Sequence, residues 1–205
     1  PTTALSTLSL PAALPILAAG SARPHFAGID RCDSVVIDPH KWLFAPFDCC
    51  ALLYRRPEVA RLAHAQHASY LDPINAGSEW NPTDYGHFLT RRARGLPFWF
   101  SLAVHGTRAY SEAVERTLEV TRAGAVLVDA APHLDLIMDP VLSVLAFRRI
   151  GWEQADYDAW SVRLMEDGTA FVLPTQVDGE PALRICIVNP LTTVDDIDMI
   201  LDSLA

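Results

Sequence analysis

The stretch that most constrains the chain is residues 33–55, DSVVIDPHKWLFAPFDCCALLYR. Residues 34–37 are uncharged and β-branched, which predicts a short buried strand. Asp38-Pro39 ends it, because proline has no N–H to give to a ladder. Residues 48–54 predict a second strand, stopped by Arg55-Arg56-Pro57. Lys41 lies between them, just past a strand end, where α/β folds place ligands. Of the 16 basic residues, Lys41 is the only lysine. A guanidinium stays protonated, whereas a desolvated lysine can lose its proton and attack a carbonyl. The plain alternative is a surface charge left over from an arginine-biased composition.

Half of the 205 residues are hydrophobic, enough for a sizeable core. The net charge of −9 argues against nucleic-acid binding, which calls for a basic face. The four cysteines form no CxxC pair, which points to buried free thiols in a reducing cytoplasm rather than a disulfide framework or a zinc site. Residues 1–20, PTTALSTLSLPAALPILAAG, are apolar, uncharged and broken by Pro11 and Pro15. The stretch is too interrupted for a membrane span, and no basic residue precedes it as in a signal peptide. Its run TLSLPAALPI is similar to translated sequencing adapter, so residues 1–17 are expected to be foreign to the gene.

Residues 21–33 read as loop, with His25 in a surface or capping role. Residues 57–68 read as a helix opened by Pro57. His64 and His67 stand three apart, a spacing that can hold a metal, but no third ligand is evident and a solvated face is expected. Residues 69–86 are rich in turn formers and read as a lid or binding loop. Trp99, Leu102, Ala103 and Gly106 recur at helical spacing and predict a helix packed tightly on one side, continuing through residues 111–125. Arg91 or Arg92 is expected to hold the loop or a subunit interface by ion pairs. Beyond residue 130 come two alternating strands, a helix over 153–167, a hairpin across Asp178-Gly179 and a terminal helix over 193–204.

The spacing of Ser34, Lys41, Trp42, Leu43, Phe47, Cys49, Leu52 and Arg55 resembles the signature around the cofactor lysine of the pyridoxal-phosphate-dependent group II decarboxylases. That family includes aromatic-L-amino-acid, glutamate, cysteine sulfinate and 2,4-diaminobutyrate decarboxylases, and Trp42 leans toward the aromatic and diaminobutyrate branches. The resemblance runs from about Ser21 to the C-terminus. It implies an α/β fold, part of a fold-type I large domain over residues 21–129 with a catalytic loop at 69–86, then a small α+β domain over 130–205. It implies pyridoxal 5'-phosphate held by Lys41 with His40 near it, L-amino-acid decarboxylation to an amine and carbon dioxide, and a cytoplasmic homodimer. Metal, membrane and nucleic acid have no part in it.

Tyr70 matches the loop tyrosine that protonates the α-carbon in the aromatic branch, which favours simple decarboxylation over aldehyde formation. Asp38 replaces an asparagine that contacts the phosphate in some relatives, so it receives no ligand role. The aspartate expected to pair with the pyridine nitrogen has no counterpart, since Pro11-Ala12-Ala13 stands where Asp-Ala-Ala belongs. The ring-stacking histidine is missing as well, so these 205 residues are expected to be inactive or nearly so, the parent being a decarboxylase. The competing readings are another enzyme of this fold, an aldehyde synthase or aminotransferase, and an inactive dimerisation fragment.

Overall fold

The structure, a computed structural model, describes residues 7–10, 19–66, 69–70 and 81–205. The chain forms two compact units, one of residues 1–14 and 26–106, the other of residues 15–25 and 107–205.

In the first unit, strands β1 (Thr7–Leu10), β2 (Ser34–Ile37) and β3 (Ala51–Tyr54) form a sheet in that order. β1 runs parallel to β2, pairing Thr7 with Ser34 and Leu10 with Ile37, and β3 runs antiparallel on the other side. β2 is found where its β-branched run predicts it. β3 starts at Ala51 rather than residue 48, because Asp48 is drawn into ion pairs with Arg94 and Arg92. Helix α1 (Pro57–His64) carries proline in its first turn, as expected, and stops before residue 68. A 3-10 turn, Pro82–Tyr85, packs against it. Residues 71–80, with His67 and Pro11-Ala12-Ala13, lie outside the described residues.

Helix α2 (Gly95–Ala130) is broken at Gly106, where φ 76° and ψ 158° are not helical. This corrects the expectation of one continuous, tightly packed helix. Trp99 and Ala103 are exposed, and burial sets in only from Tyr110, Val114 and Leu118, four residues apart along one face.

The second unit is built on an antiparallel sheet in the order β4 (Leu134–Leu136), β5 (Val144–Arg149), β7 (Glu180–Cys186), β6 (Pro174–Val177). β6 and β7 form the expected hairpin. Asp178 (φ 55°) and Gly179 (φ 81°) both take the left-handed conformation that a two-residue turn of this hand demands. Helix α3 (Gln154–Glu166) packs on β6 and β7, and helix α4 (Val194–Asp202) closes the chain. Leu145, Phe147, Tyr157, Trp160, Leu183 and Ile197 are among the side chains of one continuous core. Two of its polar side chains are paired: the Tyr157 hydroxyl accepts from Arg149 N and donates to Arg149 O, and Trp160 Nε1 donates to Ser203 Oγ.

Candidate active site

The turn after β2 is assembled from its backbone outward. Lys41 N donates to Asp38 O at 3.0 Å and Ala45 N to Pro39 O at 3.0 Å, so the chain folds tightly on itself behind the strand end. Pro39, Trp42, Leu43 and Ala45 are buried and anchor the turn, Trp42 to 1 % exposure. Lys41 faces the other way, its side chain 49 % exposed. A flexible stem is thus fixed at its root, with its amine held by a neighbouring carboxylate.

Around that amine the structure gathers Asp38, His40 and Cys50. Lys41 Nζ stands 2.8 Å from Asp38 Oδ2. The hydrogen bond from Lys41 is the chief reason the Asp38 carboxyl lies below its ordinary range, with the Cys50 thiol and His40 adding to it and burial opposing. Burial, and then the facing Asp38 carboxylate, push the Cys50 thiol up. His40 Nδ1 lies 2.6 Å from Cys49 O and 3.3 Å from Cys49 N. One tautomer cannot serve both contacts, and the shorter assigns the proton to Nδ1, donating to Cys49 O. The ring packs edge-on against Phe47 at 5.1 Å.

The thiols correct one expectation. Cys49 is buried, but Cys50 and Cys186 are exposed and Cys32 is half-buried, all four being free. His64 corrects another. It is not on a solvated face: its Nε2 is bonded to the Tyr54 hydroxyl at 3.0 Å and its ring meets His87 edge-on at 5.1 Å. Among the described residues no cluster of three or more histidine, cysteine or acidic side chains could hold a metal. No helix among them is long and apolar enough to cross a membrane.

Tyr70 stands apart from Lys41. It follows Ser69 in a turn and is 69 % exposed, and no interaction among the described residues joins it to Asp38, His40 or Lys41. The segment before α2 is tied back to the lysine turn by arginines. Arg94 Nε donates to Asp48 Oδ2 at 2.9 Å, with Arg92 at 3.7 Å from the same carboxylate, which Arg94 holds below its ordinary range. Arg91 Nη2 donates to Pro82 O, and its guanidinium lies over Gly86. Asp48 and Asp84 are the site-region residues that pattern reading passed over. An acid in a predicted strand and another just after a proline were the available signals.

The residues fit a carbonyl cofactor at one end. A half-exposed lysine side chain at a strand terminus suits an aldehyde carbon once its amine is released from Asp38. Asp38 does not suit a phosphate, since a carboxylate repels it. The Asp38–Lys41 ion pair occupies that position instead.

Comparison with known proteins gives the family and the fold. The family model of the pyridoxal-dependent decarboxylase conserved domain matches residues 14–150. An aromatic-L-amino-acid decarboxylase of Bacillus atrophaeus is 28 % identical over 178 residues, covering 82 % of this chain and 37 % of the relative. An L-2,4-diaminobutyrate decarboxylase of Rhizobium meliloti is 31 % identical over 190 residues, covering 89 % and 38 %. The chain therefore spans less than two-fifths of the length of these relatives. The crystal structure of Oryza sativa TDC with PLP and tryptamine superposes with a TM-score of 0.87 at 22 % identity, covering 98 % of this chain and 44 % of that one. That likeness shows the fold, the α/β architecture of fold-type I pyridoxal-phosphate enzymes. With two-thirds of its length inside the family's conserved domain, the chain belongs to the pyridoxal-dependent decarboxylases.

Proposed function

We propose that this chain is the lysine-bearing portion of a pyridoxal-phosphate-dependent L-amino-acid decarboxylase that yields an amine and carbon dioxide. The observation that carries the reading is the Lys41 side chain, half-exposed on a turn anchored by buried Pro39, Trp42, Leu43 and Ala45. Bound pyridoxal phosphate supplies the electron sink that decarboxylation needs. Lys41 Nζ would be the group that holds the cofactor. His40, held through Nδ1 on Cys49 O, is the ring next to Lys41 in the turn and would lie near the cofactor. Tyr70 Oη delivers a proton to the substrate α-carbon once carbon dioxide has left. Its exposure leaves the hydroxyl open to a surface brought over it, which supports a homodimer in which one protomer's loop serves the other's site. Residues 130–205 form the small C-terminal domain of that enzyme, and free thiols suit a cytoplasmic setting.

The test is reduction of the protein with borohydride in the presence of pyridoxal phosphate, followed by peptide mapping. A stable adduct on Lys41, absent from Lys41→Ala, is expected. An adduct elsewhere, or none, defeats the reading. Product analysis of the intact enzyme then separates the decarboxylase, which gives carbon dioxide and amine, from an aldehyde synthase, which gives aldehyde and ammonia.

A further inference from the structure

Lys41 is tied to Asp38 twice. Its backbone N donates to Asp38 O at 3.0 Å, and its Nζ stands 2.8 Å from Asp38 Oδ2 across the same turn. The two side chains differ in exposure, 49 % for Lys41 and 19 % for Asp38. The carboxylate is therefore the fixed partner, set in a turn that Pro39, Trp42, Leu43 and Ala45 anchor, and the lysine stem is the part that swings. A pair with one partner already ordered loses less side-chain entropy than one between two free surface chains.

The pair bears on reactivity because attack on a carbonyl needs the nitrogen lone pair. An amine held as an ammonium against a carboxylate has none. Asp38 does not relieve it of the proton. The Lys41 hydrogen bond chiefly holds the Asp38 carboxyl below its ordinary range, so it stays a carboxylate. The other groups of the turn are engaged elsewhere: His40 Nδ1 with Cys49 O, and Asp48 with Arg94 and Arg92. Among the described residues, Asp38 is the one acid paired with Lys41.

We propose that Asp38 is a positioning residue that acts through Lys41: its carboxylate clamps Nζ as an ammonium at the strand end, so the lysine attacks an aldehyde only when the ion pair opens. The proposal deepens the reading of Lys41 as the cofactor lysine and rests on it for its consequence, a lysine kept slow toward stray carbonyl compounds. The step that follows opening balances without a further reactant. The ammonium gives a proton to water, Nζ bonds to the carbonyl carbon, and the carbonyl oxygen leaves as water.

Lys41 is the only lysine, so an amine reagent reads it alone once the N-terminal peptide is set aside. Formaldehyde with cyanoborohydride is the probe, being small and uncharged, with the hydride reducing the imine to a methylated amine. The 205-residue chain is compared with Asp38→Asn, which removes the charge and keeps the shape, and Asp38→Glu, which keeps the charge. At neutral pH, Lys41 in Asp38→Asn should be methylated about fivefold faster than in wild type, with Asp38→Glu near wild type. Added salt should speed the wild type toward the Asp38→Asn rate and leave Asp38→Asn unchanged. Equal rates in wild type and Asp38→Asn overturn the proposal, as does an Asp38→Glu as fast as Asp38→Asn. A wild-type rate indifferent to salt overturns it too, since a variant that had merely loosened the turn would leave the wild type unscreened. Should Asp38→Asn fail to fold, the salt dependence of the wild type decides alone. Methylation reads the clamp whether or not Lys41 carries a cofactor, while the borohydride adduct with pyridoxal phosphate reads that assignment.

Discussion

Asp38 and Lys41 show how one position changes the electrostatics of a site. In the absence of a phosphate-contacting asparagine, the turn carries a carboxylate 2.8 Å from the amine. The Asp38 carboxyl is held below its ordinary value of 3.8 chiefly by the Lys41 hydrogen bond. A carboxyl lowered in the folded state binds fewer protons there than when unfolded, so stability rises with pH across that range. Its contribution is present above the ordinary value and is lost as pH falls through the lowered one. The thermal midpoint of the wild type should therefore fall more steeply below about pH 4 than that of Asp38→Asn. Parallel profiles would show that the pair contributes nothing. Lys41 itself was legible because its signal is local, a lone amine between a strand and prolines. The environments of Cys50 and His64 were not, because they depend on Asp38 and on Tyr54 and His87, brought from elsewhere in the chain.

Elements whose limits are written in short-range chemistry were read well. The Thr193 side chain caps α4, accepting from Asp196 N at 3.2 Å while Asp196 Oδ2 accepts from Thr193 N at 2.8 Å. Thr193→Ala should cost about 1 kcal/mol, and thus about 2–4 °C in thermal midpoint for a chain of this size. A midpoint within half a degree of wild type would mean the helix end is held by packing alone. The break in α2 gave no such signal, since Gly106 also fits a helical stripe of small residues. With φ 76° and ψ 158° it occupies a region open essentially to glycine alone, although a Cβ there would meet nothing within 4 Å. Gly106→Ala should therefore destabilise by about 1–3 kcal/mol through backbone strain rather than through a clash. A neutral or stabilising alanine, read by chemical denaturation, would mean that the helix prefers to run straight through.

Across the whole molecule, the two units are unequal in what they bury. The second holds Leu145, Phe147, Leu183 and Ile197 at 0–1 % exposure, inside a core fed by a four-stranded sheet and by three helical segments. The first holds a three-stranded sheet whose third strand leaves Leu52 and Leu53 about half exposed, beside a turn from which Phe47 projects almost fully. Buried apolar area is what opposes chain entropy, so local stability should follow this division. For the 205 residues alone, amides of β5 and β7 should exchange slowest, and those of β2 and β3 faster by at least about a hundredfold, the equivalent of about 3 kcal/mol. The functional consequence follows from where the lysine sits. Lys41 is carried by the unit that leaves more apolar surface exposed, and the chain covers 44 % of the Oryza sativa structure it superposes on. A site that needs about 0.5 Å precision cannot be held by strands that open this readily. The 205 residues alone should accordingly form no measurable amine from an L-amino acid, even with pyridoxal phosphate added. Equal protection of both sheets together with amine formation would mean that the first unit is self-sufficient, and that the apolar faces of β3 need no further polypeptide to cover them.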